Sequence, residues 1–234
     1  MRIRNLFALV LLLISTAAHA DALDDILARN LAARGGVDKL RAIANLRLTG
    51  KAVLGGGDFS LEAAWGTVQT RTGKVRSELT LQGLTQVQAY DGKVGWSVRP
   101  FGGRRDAEQA AEDQVRSDAQ DADLDGPLID WRQKGHRIEH LGTEDVDGTL
   151  AIKLRVVRKD GDIQYVFLDS DSALEIRITT VHKVRGSEEI GETDLGGYQQ
   201  VAGVWIPFSI ESYFLRPWLA RYPVVRPSDA SNRK

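Results

Sequence analysis

The sequence predicts an α+β protein whose body is an antiparallel sheet, and three observations carry that prediction. Apolar and polar residues alternate over run after run. The runs are joined by short turns of the Asp160-Gly161 kind, which suit hairpins rather than βαβ crossovers, and helical spacing is confined to the start of the chain and one central segment. The same turns disfavour a parallel nucleotide-binding fold. At 234 residues, 42% of them hydrophobic, the chain is long enough for one large β-rich core, and intrinsic disorder is excluded. The 31 basic and 32 acidic side chains nearly cancel. No positive excess is left with which to displace counterions from nucleic acid or to hold an anionic membrane. With no cysteine there can be no disulfide framework, thiolate metal site, iron–sulfur cluster, cysteine nucleophile or lipid anchor on an N-terminal cysteine.

Taken in order, the first element is an export signal. Arg2 and Arg4 precede the apolar run Leu6 to Ile14, about half the ~20 apolar residues a bilayer crossing takes, and a small-residue stretch ends in Ala18-His19-Ala20. Residues 1–20 read as a signal peptide cleaved before Asp21, with the periplasm as the expected location. The mature chain then carries 29 basic and 32 acidic groups, a net charge of −3 that suits solubility. From Asp21 to Arg34, Leu23, Ile26, Leu27 and Leu31 recur at helical spacing, with Asp24 and Asp25 in the first turn and Gly35-Gly36 as the stop. Val37 to Ala44 reads as a second short helix.

Beyond Asn45 the period changes to two. Leu46, Leu48, Ala52 and Leu54 lead through the glycines 55 to 57, a hairpin turn, into Phe59, Leu61, Ala63 and Trp65. Further alternating runs are Val75 to Leu81, Val94 to Val98, Leu150 to Val156, Ile163 to Phe167 and Leu174 to Val184. Residues 106–132, rich in Ala, Gln, Asp and Glu, read as one or two helices inserted between two halves of the sheet and able to cover its apolar face. Prolines 217, 223 and 227 predict an irregular tail over 216–234, leaving one domain over 21–215.

Several patterns resemble chemistry. His136-Arg137-Ile138-Glu139-His140 matches an inverted zinc-peptidase motif, but glycines 135 and 142 bracket it, and on a strand residues four apart lie roughly 13 Å from one another, too far to share one zinc. Asp121, Asp123, Asp125 and Gly126 copy the first half of a calcium loop whose twelfth position is Arg132 instead of glutamate. No G-x-S-x-G nucleophile turn occurs, and the glycines at 55 to 57 lack the Lys-Ser/Thr of a phosphate loop. No metal and no cofactor are therefore expected. His182, on an apolar stripe, reads as a hydrogen-bonded core residue.

The pattern Tyr90-Asp91-Gly92-Lys93-Val94-Gly95-Trp96, then Gly126-Pro127-Leu128-Ile129-Asp130-Trp131 with Lys134-Gly135-His136, then Leu141-Gly142-Thr143-Glu144-Asp145-Val146-Asp147-Gly148, Tyr165-Val166-Phe167-Leu168-Asp169, and Tyr198 before Gly203-Val204-Trp205-Ile206-Pro207, resembles the periplasmic outer membrane lipoprotein-sorting proteins, the LolA/LolB-like carriers. The likeness runs from Asp21 to about Tyr213. It implies a strongly curved antiparallel sheet, an unclosed β-barrel, with helices packed in its mouth as a lid. In those carriers an arginine before the strand leading to the Asp-Gly-Lys turn helps to hold the lid, and the nearest match here is Arg71. Two departures stand out: the Lys-Arg-Pro stretch around that arginine is replaced by Thr70-Arg71-Thr72, and the chain runs into Arg216-Pro217-Trp218 where many relatives add another strand.

These readings converge on a carrier without catalytic residues, handling the acyl chains of a lipoprotein or another envelope lipid. The expected cavity wall is Leu61, Trp65, Leu79, Trp96, Phe167 and Ile178, with Leu27 and Leu128 in the lid. The expected partners are that lipid and an inner-membrane transporter, with transient membrane contact, no nucleic acid and a monomeric chain. The alternative from another class is a lipid-sensing or adaptor module docked to an inner-membrane transporter or signalling protein. An envelope hydrolase ranks behind both.

Overall fold

A computed structural model describes residues 22–56, 59–184, 187–214 and 224–232. The expected signal peptide and its cleavage site lie outside these residues. Helix α1 occupies 22–33 and α2 Val37–Ala42. The strands are β1 (Asn45–Gly56), β2 (Phe59–Thr70), β3 (Lys74–Leu81), β4 (Leu84–Tyr90), β5 (Gly95–Arg99), β6 (Arg104–Gln109), β7 (Arg137–Val146), β8 (Thr149–Val157), β9 (Ile163–Asp169), β10 (Glu175–Val184), β11 (Ser187–Gly196), β12 (Gln199–Val201), β13 (Val204–Ile206), β14 (Ser209–Phe214) and β15 (Val224–Asn232), with helix α3 (Glu112–Asp121) between β6 and β7.

Thirteen strands form one antiparallel sheet in the order β6-β5-β4-β3-β2-β1-β15-β14-β11-β10-β9-β8-β7, and β12 and β13 make a separate ribbon. The sheet is a pair of meanders, joined where β15 inserts between β1 and β14. Its outer strands β6 and β7 do not pair with each other, so the barrel stays unclosed. Edge β6, with the sequence RRDAEQ, is mostly exposed, and a charged edge of this kind resists pairing with another chain.

One face of the sheet carries the helices. Leu23 and Ile26 of α1 and Leu128 pack on Ile138, Ile152, Leu154, Val156, Val166 and Leu168 from β7 to β9. Leu40 and Ile43 pack on Leu48 together with Ile129, Val204 and Ile206. The turn after α1 requires glycine: Gly35 has φ +119°, and a Cβ there would lie 2.3 Å from the Gly203 carbonyl oxygen. That close approach seats the β12–β13 ribbon against the end of α1, where the Trp205 amide donates to the Arg34 carbonyl at 3.0 Å.

Two sequence expectations are corrected. Residues 106–132 hold the end of β6, the single helix α3 and a run of turns, with Leu128 in a turn rather than a helix. The tail is not irregular throughout, because Val224–Asn232 is the strand joining the two meanders. Pro227 is accommodated because the β1–β15 register shifts beside it: Thr49 pairs with Asp229 but Gly50 with Pro227, a bulge where a residue lacking an N–H is tolerated.

Candidate functional site

Strand parity and register decide which predicted residues share the helix-bearing face. In the β1–β2 ladder Leu48 faces Thr67, Gly50 faces Trp65, Ala52 faces Ala63 and Leu54 faces Leu61, and in the next ladder Trp65 faces Leu79. Leu61, Trp65 and Leu79 therefore lie on one face. Trp65 and Leu79, with Leu54, Leu81 and Ile210, are partly buried around the fully buried pair Ala52 and Ala63, and Leu61 shares their face without packing on that pair. The two alanines form a shallow floor, Gly50 opposes Trp65 with no side chain, and the larger residues rise as walls. Among the described residues, no helix residue belongs to this apolar strip.

Trp96 and Phe167 do not line it. Trp96 stands on the opposite face and is 46% exposed, while its neighbours Gly95 and Ser97 are buried. Helix α3 approaches Gly95 so closely that a Cβ there would lie 3.0 Å from Asp118 Oδ2 and 3.1 Å from Val115 Cγ2, with Ala110 Cβ, just before the helix, at 2.9 Å. Phe167 packs with Val146, Ala151, Tyr165 and Ile176, with the Lys153 ammonium 5.2 Å from its ring, whereas Val166 and Leu168 face α1. Strand β9 is apolar on both faces, so its parity alone could not assign a side. Ile178 does face inward. A bulge between Glu175 and Arg177 places Ile176 with the outer cluster and Ile178 against the α1 core.

Leu27 is partly buried and Leu128 is 5% exposed, both against the α1 core and both in the wall of a cleft of about 370 Å³ between α1 and residues 128–133. Arg71 joins three pieces of chain. Its Nε donates to the Ile43 carbonyl at 3.1 Å, Nη2 to the Leu40 carbonyl at 2.5 Å, and Nη1 meets the Asp125 carboxylate at 2.5 Å. It thus ties the C-terminal end of α2 to the turns that follow α3. Arg34 adds a second tie, with Nη1 3.1 Å from the Asp125 carbonyl and 3.6 Å from Glu175.

Beside the apolar strip lies a feature that sequence reasoning missed. A cavity of about 660 Å³ opens between α3 and strands β9, β10, β11 and β14. Its lining includes Arg116, Gln120, Asp121, Arg158, Gln164, His182 and Ser212. The buried Asp162 carboxylate organises one side: Gln120 Nε2 and His182 Nδ1 each lie 2.7 Å from its Oδ2, and Arg116 Nε 3.7 Å. His182 is thus hydrogen-bonded, as its stripe suggested. Asp121 is open to the water of the cavity but crowded by protein, and desolvation and the Asp118 carboxylate push its carboxyl up to about 6, against the pull of His182 and Arg158.

Helix α3 is held mainly by polar contacts. Gln88 and Gln114 both donate to Asp118, which is 1% exposed, and Gln69 donates to the Asp121 carbonyl. A missing signal was legible in retrospect: β4 and β11 carry glutamines, threonines and glutamates toward this face, so neither shows apolar alternation.

The residues of the metal-like motifs have other partners. Asp123 takes Lys134 Nζ at 2.6 Å and Asp125 takes Arg71. His136 Nδ1 accepts from the Lys159 amide at 3.1 Å, Glu139 pairs with Arg155 at 3.1 Å, and His140 faces Leu154 across the β7–β8 ladder. Burial, Arg158 and Lys134 hold the His136 imidazole below its ordinary pKa.

Comparison with protein-family models and with curated sequences finds no match. Solved structures do match. A LolA superfamily protein from Nitrosomonas europaea is 12% identical, with 88% of this chain and 92% of that chain covered at a TM-score of 0.61. A DUF1329 family protein from Desulfovibrio piger is 15% identical, with 92% and 93% covered at 0.60. A domain from Vibrio parahaemolyticus, described as an outer membrane lipoprotein-sorting protein domain, is 11% identical, with 83% and 87% covered at 0.57. At this identity the likeness establishes architecture: the chain has the LolA-type fold, an unclosed antiparallel half-barrel with helices on its inner face.

Proposed function

We propose that this protein is a non-enzymatic periplasmic carrier, exported by cleavage after residue 20, that shields the acyl chains of a lipoprotein or another envelope lipid on its way toward the outer membrane. The observation that carries the reading is the strip formed by Leu54, Trp65, Leu79, Leu81 and Ile210, with Leu61 on the same face, apolar, only partly buried and lying on the helix-bearing face of an open barrel. Each acyl CH₂ exposed to water costs about 0.8 kcal/mol, so an unescorted ~16-carbon chain costs on the order of 12 kcal/mol in the aqueous periplasm. A trough of branched and aromatic side chains over an alanine floor offsets much of that cost. Arg71, which ties α2 to the turns after α3, and Leu27 and Leu128, which pack α1 and those turns on β7 to β9, serve as lid anchors.

The test is displacement of a fluorescent fatty acid from the mature protein, followed by transfer of a labelled acyl lipid between vesicles. Leu79→Ser is expected to weaken acyl binding about tenfold by removing a wall side chain. Trp96→Ala, on the outer face, leaves it unchanged. Equal losses in both variants, or a wild-type protein that displaces no probe, would overturn the carrier reading.

A further inference from the structure

We propose that the cavity beneath α3 seats an uncharged, hydroxyl-rich head group, so that the amphiphile whose chain lies on the apolar strip carries a glycerol- or sugar-like head. This rests on the carrier reading and names the other half of its ligand. Strip and cavity are continuous: Ile210 of the strip and Ser212 of the cavity wall are two residues apart on the same face of β14, roughly 7 Å.

The cavity suits an acyl chain less well than the strip does. Its volume of about 660 Å³ would hold on the order of twenty waters, and most of the residues that line it carry amide, hydroxyl or charged groups beside their aliphatic stems. Filling it with hydrocarbon would strip those groups of water without replacing their hydrogen bonds, at about 1–3 kcal/mol for each one left unsatisfied. Charged heads fit poorly as well. A phosphate or carboxylate near Arg116 and Arg158 also meets Asp113 and Asp121, and both guanidinium groups already face carboxylates, Arg116 at Asp113 and Asp162 and Arg158 at Asp160. An ammonium group near Asp121 meets Arg158 instead. Charge is interleaved rather than separated, with Glu189 and Glu192 in the same lining as Arg116 and Arg158.

Interleaved donors and acceptors match a group that does both. A hydroxyl donates one hydrogen bond and accepts two. The wall offers its own hydroxyls in the same pattern, with Thr193 Oγ1 3.2 Å from Ser212 Oγ, and Thr180 Oγ1 3.4 Å from Gln164 Nε2. Asp162, 2% exposed, fixes Gln120, His182 and Arg116 before any ligand arrives, and this preorganisation lowers the ordering cost of binding.

The experiment compares three ligands with one chain and different heads, monodecanoylglycerol, decanoate and decanoylcholine, as competitors for a fluorescent acyl probe on the full mature protein. Monodecanoylglycerol is expected to bind about tenfold more tightly than either charged ligand. The paired change Thr193→Val with Ser212→Ala, which removes two mutually bonded hydroxyls without orphaning a partner, should weaken monodecanoylglycerol about fivefold and leave decanoate unchanged. If the three ligands bind within twofold of one another, or the paired change weakens all of them alike, the head-group assignment is wrong while the carrier reading survives. If none displaces the probe and the probe itself does not bind, the carrier reading fails and takes this inference with it.

Discussion

Replacing Arg71 tests how the helices and turns beside the barrel are held. The guanidinium makes two hydrogen bonds to the carbonyls of Leu40 and Ile43 at the C-terminal end of α2, where the Leu40 carbonyl also accepts the Ile43 amide at 3.2 Å, and an ion pair to Asp125. The Arg71 side chain is 30% exposed and Asp125 17%, so water can recover part of what is lost on removal. Charge-assisted hydrogen bonds contribute about 1.5–3 kcal/mol each where water is excluded, and about half of that here. Three such contacts give a cost for Arg71→Ala of about 3 kcal/mol. Arg71→Lys places a point charge where a fork is needed. It can satisfy Asp125 or one carbonyl, so about 2 kcal/mol should still be lost. The assay is urea unfolding of Arg71→Ala, Asp125→Ala and the double variant, with hydrogen exchange over residues 40–43 and 122–126. A coupling energy between positions 71 and 125 of at least about 1 kcal/mol is expected, with exchange rising first in those segments. A coupling below about 0.5 kcal/mol, or Lys performing as well as Arg, would refute the fork geometry.

Asp121→Asn should stabilise the protein at neutral pH. The folded carboxyl is raised from 3.8 to about 6, so its penalty is absent below the ordinary carboxylate pKa, grows as pH rises from there to about 6 and is complete above that, and the variant should lose that part of the pH dependence. The gain at pH 7.5 should be on the order of 1 kcal/mol, because water in the cavity screens the charge; thermal melts from pH 4 to 8 measure it. Leu154→Ala, at a fully buried position, should cost about 3 kcal/mol, whereas Leu79→Ala in the strip should cost about 1 kcal/mol, as urea unfolding will report. Truncation before Val224 should expose the facing edges of β1 and β14 and lead to self-association visible by light scattering.

Much of the fold is written in local patterning. The helical spacing of Leu23, Ile26, Leu27 and Leu31, the Gly35-Gly36 stop and the period-two runs of β1, β2, β3 and β8 are properties of neighbouring residues, and the structure places those elements where the patterns do. Arg71 was legible only through resemblance, since nothing near it in sequence names Leu40, Ile43 or Asp125. What tertiary structure decided is which face each residue serves and which strands meet. Phe167 lies on a strand apolar on both sides, and Ile178 follows a bulge that reverses the parity of Ile176. Trp96 turns outward because α3 needs the small Gly95 and Ser97 beneath it. Pro227 blocks an isolated strand but not one that meets its neighbour at a bulge. The polar cavity had no local signature either, because its walls come from α3 and from strands whose inward residues are hydrophilic, and only the curvature of the sheet brings them around one space. Periodicity is set by consecutive residues and survives in the sequence; facing, bulging and enclosure depend on partners tens of residues away and arise only when the chain packs.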